Sequence, residues 1–404
     1  MDLFNPKTFS TDWELQVIDK LERCVRTDKL LGFAGALREE LDLDIQVDWN
    51  AIEFAMGINT SFGQFWERIL RITDRASQVV RELDLDLFAA GAHPTERMYN
   101  SSHVHVGTAH DETNAIYLEN QIMRYVPAFG ALAANSPVAH GLRGEFKSYR
   151  VRDCAYVFTT PSEVRDPWTA QPSDWTDASP KLYGAPTVEV RITDCASSRR
   201  LLAEFVTFIA AYVHYRGKMV EEYRCPPEEY REFLTNRWTA ARDGMQATFL
   251  WNGKPRLVAD LLDEMLDECA DELENLGAKR ADFALLNAMI RKRVCQADFV
   301  LGFAGRYPDV WCLTSAYAKL IRQWDAFDQY LESAPALDPI PAPDEQAVLA
   351  EHLAFVGEGT HFYRLHDAMR YPWPVTGEII ERLVRQGLVK REVTPRRGTL
   401  LYRL

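Results

Sequence analysis

The sequence predicts an α+β protein made of a large domain and a smaller one. Four short segments in the first half alternate polar and apolar residues with a period of two, which is typical of strands that bury one face. From residue 199 to residue 331, apolar residues recur at helical spacing in five successive segments. A chain of 404 residues is longer than one hydrophobic core usually grows, so we expect a second unit.

One of the four predicted strands carries two histidines, His103 and His105, on the same face. Strand side chains alternate between faces, so Val104 and Val106 point the other way, into a core. Two imidazoles on one face indicate a metal site or a catalytic site. Ordinary hydrogen bonding on a strand is the alternative.

The other three predicted strands, residues 11–18, 52–56 and 187–193, repeat this pattern. If all four lie in one sheet, their polar faces bring together Asp12, Glu14, Glu53, His103, His105, Glu189 and Arg191. Oxygen-rich ligation with one nitrogen suits Mg²⁺ or Mn²⁺, and an arginine suits a phosphate. The alternative is a satisfied polar network on a half-exposed sheet.

Charge and cysteine content limit the classes of protein to which this chain can belong. A net charge of −13 argues against nucleic acid as the main partner of the whole chain. Seven scattered cysteines without a CxxC pair fit reduced thiols rather than a disulfide scaffold or a zinc site. The N-terminus lacks an apolar signal core, and the longest apolar run, near residues 205–213, is too short to span a bilayer. We therefore expect a cytoplasmic protein with no membrane contact.

Helical spacing predicts two long helices before the five later ones. The first covers residues 61–83, with Thr60 or Ser61 as N-cap, and the second covers residues 113–134 and ends before Pro137. The later helices are predicted near residues 199–223, 227–249, 255–276, 279–296 and 312–331.

Several cations and amides lie where they could reach a phosphate. Residues 141–175 predict an irregular loop that carries Arg143, Lys147, Arg150 and Arg152, of which Arg150 is the preferred phosphate ligand and Lys147 the next. Asn236 and Arg242 lie one to two turns apart on the helix predicted at residues 227–249. A solvated loop and a polar helix surface are the alternatives.

The C-terminal part predicts a separate small domain. Residues 333–344 contain four prolines and predict a semi-rigid linker, so that residues 1–332 and 345–404 form two domains. Two helices, residues 345–355 and 375–386, and a strand pair at 388–404 resemble a winged helix. Residues 375–404 carry seven Lys or Arg and three Glu, which allows a DNA contact. Packing of this unit on the body or on a second subunit is favoured, because the acidic protein would repel DNA.

Taken together, the motifs resemble the glutamate-cysteine ligase type 2 family of carboxylate-amine ligases. The matching segments are Trp13–Asp19, Ile52–Phe54, Gly91–Pro94, His103–Gly107, Ala134–Pro137, Ser148–Arg150, Val188–Arg191 with Asp194, and Asn236–Trp238 with Arg242. They cover roughly residues 8–330. The resemblance implies a curved antiparallel sheet with helices on one face, related to the catalytic domain of glutamine synthetase, and a homodimer.

The resemblance also implies roles for single residues. Metal ligands would be Asp12, Glu14, Glu53, His103 and Glu189. Arg150 and Arg191 would contact phosphate or the substrate carboxylate, with His105 beside them as a third candidate catalytic residue. The first motif departs from the family, because Ser10 replaces its glycine and Asp12 its first glutamate. A metal at the shorter Asp12 must sit closer to the strand or accept a water bridge.

The implied activity is ATP-dependent amide formation with Mg²⁺ or Mn²⁺. The γ-phosphoryl group of ATP would convert a carboxylate, such as the side chain of glutamate, to an acyl phosphate that an amine such as cysteine then attacks. Natural-product or peptide acceptors are equally compatible with the sequence. Two other classes remain open: a metal-dependent hydrolase or phosphotransferase, and a ligase-like sensor of nucleotide or amino acid that acts through the basic winged helix.

Overall fold

The computed structural model describes most of the chain. It covers residues 7–19, 27–41, 44–48, 51–108, 112–154, 177–181, 186–218, 226–307, 309–342, 344–369, 373–394 and 398–404. Its strands are β1 (Phe9–Ile18), β2 (Asp44–Asp48), β3 (Ala51–Ala55), β4 (Asp86–Phe88), β5 (Ser102–Gly107), β6 (Val138–Ala139), β7 (Leu142–Arg143), β8 (Ala178–Lys181), β9 (Thr187–Val190), β10 (Thr248–Trp251), β11 (Lys254–Leu257), β12 (Thr360–His361), β13 (Val389–Thr394) and β14 (Gly398–Arg403).

Sixteen α-helices accompany these strands in the described residues. They are α1 (Thr27–Leu41), α2 (Phe62–Glu82), α3 (Glu112–Ile122), α4 (Val126–Ala133), α5 (Tyr149–Asp153), α6 (Arg199–Gly217), α7 (Pro227–Asp243), α8 (Val258–Glu268), α9 (Ala270–Asn275), α10 (Ala284–Lys292), α11 (Gln296–Ala304), α12 (Val310–Ile321), α13 (Ala326–Ser333), α14 (Glu345–Phe355), α15 (Phe362–Met369) and α16 (Trp373–Arg385). The mixed α and β content predicted from the sequence is confirmed.

The four predicted strands do belong to one open antiparallel sheet. Its order is β2-β3-β1-β5-β9-β8, and β4 also pairs with β1. In this register Glu14 lies opposite Glu53, Asp12 opposite His103, and His105 opposite Glu189. Paired residues of an antiparallel sheet share a face, so one face gathers the predicted polar side chains.

The opposite face of this sheet is the centre of the main core. Trp13 and Leu15 of β1 and Val104 and Val106 of β5 are fully buried, and helix α6 packs behind both strands. Nearly every side chain of α6 is buried, which fits a helix enclosed on all sides. Among the described residues, helices cover the apolar face of the sheet and leave its polar face open to a ligand.

Helix α2 confirms the prediction for residues 61–83. The hydroxyl of Ser61 accepts a hydrogen bond from the backbone N–H of Gln64 at 3.3 Å, and the buried side chains form the predicted stripe. Of the two proposed N-caps, Ser61 is the one used. The stripe packs against α6 and α1.

The single helix predicted at residues 113–134 is wrong, because the chain forms α3 and α4 with a turn between them. Pro127 lies in the first turn of α4. In a continuous helix its ring would clash with the carbonyl of Met123 and it would offer no N–H. The first turn of a new helix tolerates a proline, so the break falls just before it.

Other predicted boundaries also change, and the helices predicted at residues 255–276 and 312–331 each form two helices. The helix predicted at residues 227–249 ends at Asp243, because Gly244 adopts a positive φ of 56°, and the chain continues into the hairpin β10–β11. The loop predicted at residues 141–175 contains β7 and the short helix α5, whose N-cap Ser148 accepts a hydrogen bond from the N–H of Val151 at 3.0 Å. Residues 155–176 of that loop lie outside the described residues.

The C-terminal part has a small core of its own. Eight apolar residues form it: Leu349, Val356, Leu365, Ile379, Ile380, Leu383, Val389 and Leu401. The helices predicted at residues 345–355 and 375–386 correspond to α14 and α16, with β12 and α15 between them. The predicted strand pair is β13–β14, and its turn residues 395–397 are not among those described.

Residues 337–340 of the predicted linker are bonded to the body. The N–H of Leu337 donates to the carbonyl of Lys292 at 2.8 Å, and the N–H of Ile340 donates to that of Gln246 at 2.8 Å. In addition, the hydroxyl of Thr248 donates to the carbonyl of Ile340 at 2.6 Å. This part of the proline-rich segment is therefore a strap along the body rather than a free spacer.

Among the described residues, no helix is both long and apolar enough to cross a bilayer. The cysteines among them are all free thiols: Cys154, Cys195, Cys269, Cys295 and Cys312.

A buried carboxyl group on α6 makes stability depend on pH. Burial raises the pKa of Glu204 to about 7, against 4.5 for the ordinary side chain, although the N–H of Leu286 and the guanidinium of Arg200 favour its charge. Between these two pH values the folded chain keeps a proton that the unfolded chain has released. The free energy of unfolding therefore falls as the pH rises, by about 3 kcal/mol from this group.

We expect Glu204→Gln to remove this pH dependence. Denaturant unfolding at pH 5 and pH 7 would show a smaller fall in stability for the variant than for the unaltered chain. The control is Glu264→Gln, whose side chain is exposed and pairs with Arg256 at the surface. An equal fall in Glu204→Gln and the unaltered chain would contradict the assignment.

Candidate active site

A cavity of about 700 Å³ opens over the polar face of the main sheet. Its wall contains seven carboxylates and five cationic side chains: Asp12, Glu14, Asp48, Glu53, Asp153, Asp177, Glu189, Arg97, Arg150, Lys181, Arg191 and Arg237, with His103 beside them. Such a wall is typical of a site for a charged ligand held through cations rather than of a site for an apolar ligand.

Two groups of three side chains in this region could each hold a cation. Asp12, His105 and Glu189 form one group, and Glu14, Asp48 and Glu53 form the other. In each group, one ligand atom from every member lies within 4.8 Å of the other two. A set of carboxylates, alone or with one imidazole, is the chemistry that Mg²⁺ and Mn²⁺ prefer.

The carboxylates of Glu14, Asp48 and Glu53 repel one another when no cation is present. Burial and the nearby charges of Asp12, Glu14 and Asp48 raise the pKa of Glu53 to about 8. Burial also raises the pKa of Glu14, against the opposing effects of Arg150 and of the hydrogen bonds from Ser101. A divalent ion would relieve the repulsion between these carboxylates.

Glu14 and His103 are held in place through one serine. The backbone N–H and the hydroxyl of Ser101 donate to Glu14 at 2.7 and 2.8 Å, and the same hydroxyl lies 2.5 Å from Nε2 of His103. Burial lowers the pKa of His103 well below its ordinary value, and the charges of Arg191 and Arg150 lower it further. His103 is therefore a neutral imidazole.

The pKa of His105 shifts in the opposite direction to that of His103. Its Nε2 lies 2.8 Å from Asp12 and 3.5 Å from Glu189. Burial alone would lower the pKa of His105, but the hydrogen bond to Asp12 and the charge of Glu189 outweigh burial and raise it. His105 does not line the cavity wall, but its ring lies next to Asp12 and Glu189, which do.

Two arginines converge on the strand that carries Glu189. Arg191 lies 2.5 Å from Glu189. Arg150 projects from α5 and donates to the carbonyls of Arg191 at 2.9 Å and Ile192 at 3.2 Å. The short helix α5 thus places Arg150 next to Arg191, which a flexible loop would not do.

The carboxylate of Asp194 supports the segment that carries Arg150. It accepts hydrogen bonds from the N–H of Asn135 at 2.8 Å and from the hydroxyls of Ser136 and Ser148 at 2.7 and 3.0 Å. A Cβ on Gly91 would lie 2.5 Å from Cγ of Asp194, so only glycine fits there. The segments 91–94, 134–137 and 148–150 therefore meet at one carboxylate.

Lys147, Asn236 and Arg242, three predicted cofactor-binding residues, do not line the cavity. The ammonium of Lys147 bonds Asp298. The side chain of Asn236 pairs with both backbone groups of Leu250, at 2.7 and 2.8 Å, and so fixes β10 to α7. Arg242 bonds Asp243 and lies over the ring of Trp238. We do not include these three residues in the site.

Sequence reasoning missed Asp48, Lys181 and Arg237. Asp48 lies on β2, where residues 44–48 alternate, so the period of two could have added it. Arg237 occupies the buried face of α7, four residues after Phe233 and four before Ala241, and there it bonds Asp177. A charge in the middle of an apolar helical stripe needs such a partner, and that signal was present in the sequence. Lys181, which lies 3.1 Å from Glu189, left no such signal.

Comparison with known proteins gives one family. The model of the family described as Glutamate-cysteine ligase family 2 (GCS2) matches residues 95–303. Two curated relatives carry the name "Putative glutamate--cysteine ligase 2". The one from Paraburkholderia xenovorans is 24% identical over 360 residues, which are 74% of this chain and 93% of that protein. The one from Paraburkholderia phytofirmans is 24% identical over 380 residues, which are 80% and 97%.

Two solved structures have a similar fold. A glutamate–cysteine ligase from Francisella tularensis, in complex with AMP, matches with a TM-score of 0.58 and 10% identity over 82% of this chain and 95% of that one. A bifunctional glutathione synthetase from Pasteurella multocida matches with a TM-score of 0.56 and 12% identity over 82% of this chain and 54% of that one.

Proposed function

Because this chain belongs to glutamate-cysteine ligase family 2, we propose that its cavity joins a carboxylate to an amine at the expense of ATP. The acid is the side-chain carboxylate of glutamate or a similar acid, and the amine is cysteine or a related acceptor. The observation that carries this proposal is the pair of cation-binding groups beside Arg150 and Arg191 in one cavity.

The two groups of ligands have separate roles in this proposal. Glu14, Asp48 and Glu53 hold one divalent ion, Mg²⁺ or Mn²⁺. Asp12 and Glu189 hold a second ion together with His105. His103 lies 3.3 Å from Glu189 and 3.9 Å from Glu14, so it adjoins both groups. When bound, such ions neutralise the phosphate charges of ATP.

The arginines act on the group that is transferred. Arg150 is fixed by two backbone carbonyls, and Arg191 is fixed by Glu189. Their guanidinium groups are therefore placed in advance for the charge that develops on the γ-phosphoryl group. Planar donor forks of this kind suit phosphate oxygens, whereas a lysine would offer only a point charge.

The reaction then needs little besides positioning. An oxygen of the acid attacks the γ-phosphorus of ATP, ADP leaves, and an acyl phosphate forms. The amine attacks the acyl carbon, and phosphate leaves with the former carboxylate oxygen. Phosphate is a far better leaving group than hydroxide, which is why the first step is required. Held together in one cavity, the reactants avoid most of the entropic cost of meeting in solution.

We expect Glu53→Gln and Glu189→Gln to lower ATP-dependent amide formation by at least about a hundredfold, because each replaces a charged cation ligand with a neutral amide of the same size. ADP release and the mass of the product, measured with Mg²⁺, glutamate and a panel of amines, check this. Glu264→Gln, which alters an exposed carboxylate on α8, serves as the control.

Two results would count against this proposal. Full activity in both variants would mean that the assigned ligands are wrong. ADP release that is independent of any amine, with no condensed product, would instead support a hydrolase or another phosphotransferase.

We propose that residues 1–332 form the ligase domain and residues 345–404 a winged-helix-like domain. The order α14, β12, α15, α16, β13, β14 and the separate core support this division. Arg231 of α7 pairs with Glu378 of α16 at 2.9 Å, and Arg391 pairs with Glu381 of its own unit. These contacts and the net charge of −13 favour packing on the body over binding to DNA. The homodimer and the cytoplasmic location stay predictions.

We expect limited proteolysis to separate these two units. Cleavage at residues 341–344, beyond the bonded strap, should leave a resistant fragment that contains residues 1–332 and keeps ligase activity, because all the proposed site residues lie in that fragment. Mass spectrometry of the fragments and a product assay check this. Simultaneous degradation of the whole chain, without a stable fragment, would contradict the division into two domains.

A further inference from the structure

A second polar cluster lies at the cavity, apart from the cation-binding groups. The hydroxyl of Tyr99 donates to the carboxylate of Asp153 and lies 2.6 Å from Nε2 of His140. The other oxygen of Asp153 accepts from Arg152 at 2.7 Å, and His140 lies 3.6 Å from the carboxylate. None of these residues has a role in the proposed binding of ATP or of cations.

This cluster lies close to the place where the acyl phosphate would form. Tyr99 and Asp153 line the same cavity as the cation ligands. Asp153 follows Arg150 by three residues on α5, so the two side chains are neighbours on one helical face, about 5–6 Å apart at Cβ. A group bound to Asp153 is therefore next to whatever Arg150 holds.

The hairpin of β6 and β7 fixes the position of His140. His140 and Gly141 form its two-residue turn, with φ of +52° and +78°, the positive values that such turns require at both positions. Burial lowers the pKa of His140, the nearby charge of Asp153 raises it in part, and the net shift is downward, so the ring is neutral. The turn thus carries the ring of His140 to Tyr99 and Asp153.

An amine substrate needs a group that binds its ammonium ion and takes a proton from it, and the cation-binding groups do not supply one. At neutral pH it arrives as an ammonium ion, which must be bound and must lose a proton before its nitrogen can attack. Arg150 and Arg191 would repel it, and bound metal would occupy the carboxylates of the two cation-binding groups. Arg237 engages both oxygens of Asp177. Asp153 is 16% exposed, and a carboxylate offers about four lone-pair sites, so it can accept further hydrogen bonds.

We propose that Asp153, oriented by Tyr99 and His140, binds the ammonium group of the amine substrate and accepts one of its protons. This inference rests on the proposed ligase function. The freed nitrogen lone pair forms the bond to the acyl carbon as the bond from that carbon to the phosphate oxygen breaks. The second proton leaves with the phosphate, and Asp153 returns the first to solvent. The products are the amide and hydrogen phosphate.

The test replaces the charged amine with hydroxylamine, which is uncharged at pH 7 and needs neither the binding nor the proton transfer. With Asp153→Asn we expect kcat/KM for the amine to fall by about 10²- to 10⁴-fold. Formation of the hydroxamate from ATP, glutamate and hydroxylamine should stay close to that of the unaltered protein. The amine used is the first in the panel that gives a condensed product, and Asp86→Asn, which alters a carboxylate paired with Arg322, is the control.

The outcomes separate this inference from the ligase proposal. If the unaltered protein forms neither the amide nor the hydroxamate, the ligase function fails. If Asp153→Asn keeps the kcat and KM of the unaltered protein for the amine, the assigned role of Asp153 is wrong while the ligase function stands. Loss of both reactions in Asp153→Asn would also overturn it, because Asp153 would then be needed for the cavity itself. Loss of the amine reaction alone supports the proposal.

Discussion

Repulsion between like charges on one face of the sheet is the constraint on which the rest of the structure depends. Glu14 and Glu53 lie directly opposite each other on β1 and β3, and Asp12 is two residues from Glu14. In the absence of a cation, burial and neighbouring charges hold the pKa of Glu53 near 8. A sheet gathers such groups only if something else holds the strands together. Here that force is the apolar face, where Trp13, Leu15 and Val104 are completely buried against α6.

Hydrogen bonds around the site also hold its charged side chains in place against their repulsion. Ser101 holds both Glu14 and His103, and Asp194 joins three segments that are distant in the sequence. These groups are buried and satisfied by hydrogen bonds, so they fix the charged side chains without competing for a ligand. The site is rigid where phosphate and cations would bind, and Arg150 is placed by helix α5 rather than by a loop.

The sequence was sufficient to predict a strand wherever polar and apolar residues alternate and the apolar face is buried. Alternation predicted the four strands that carry the predicted polar residues, because a shift of one residue would have exposed their apolar side chains and buried their carboxylates. It was not sufficient for contacts that depend on the fold. Lys147 and Arg242 have the right chemistry for phosphate, but Asp298 and Asp243 neutralise them away from the cavity. Tyr99, His140 and Asp153 are separated by up to 54 residues, so no spacing in the sequence could indicate that they form a cluster.

The number of Mn²⁺ ions that the chain binds is the most direct test of the central claim. Electron paramagnetic resonance of free Mn²⁺, titrated against the protein in the presence of ATP, counts them. The two groups of ligands predict two ions per chain, with the loss of one in Glu53→Gln and retention of the other. A chain that binds no Mn²⁺, or a Glu53→Gln variant that binds as many ions as the unaltered chain, would contradict the account.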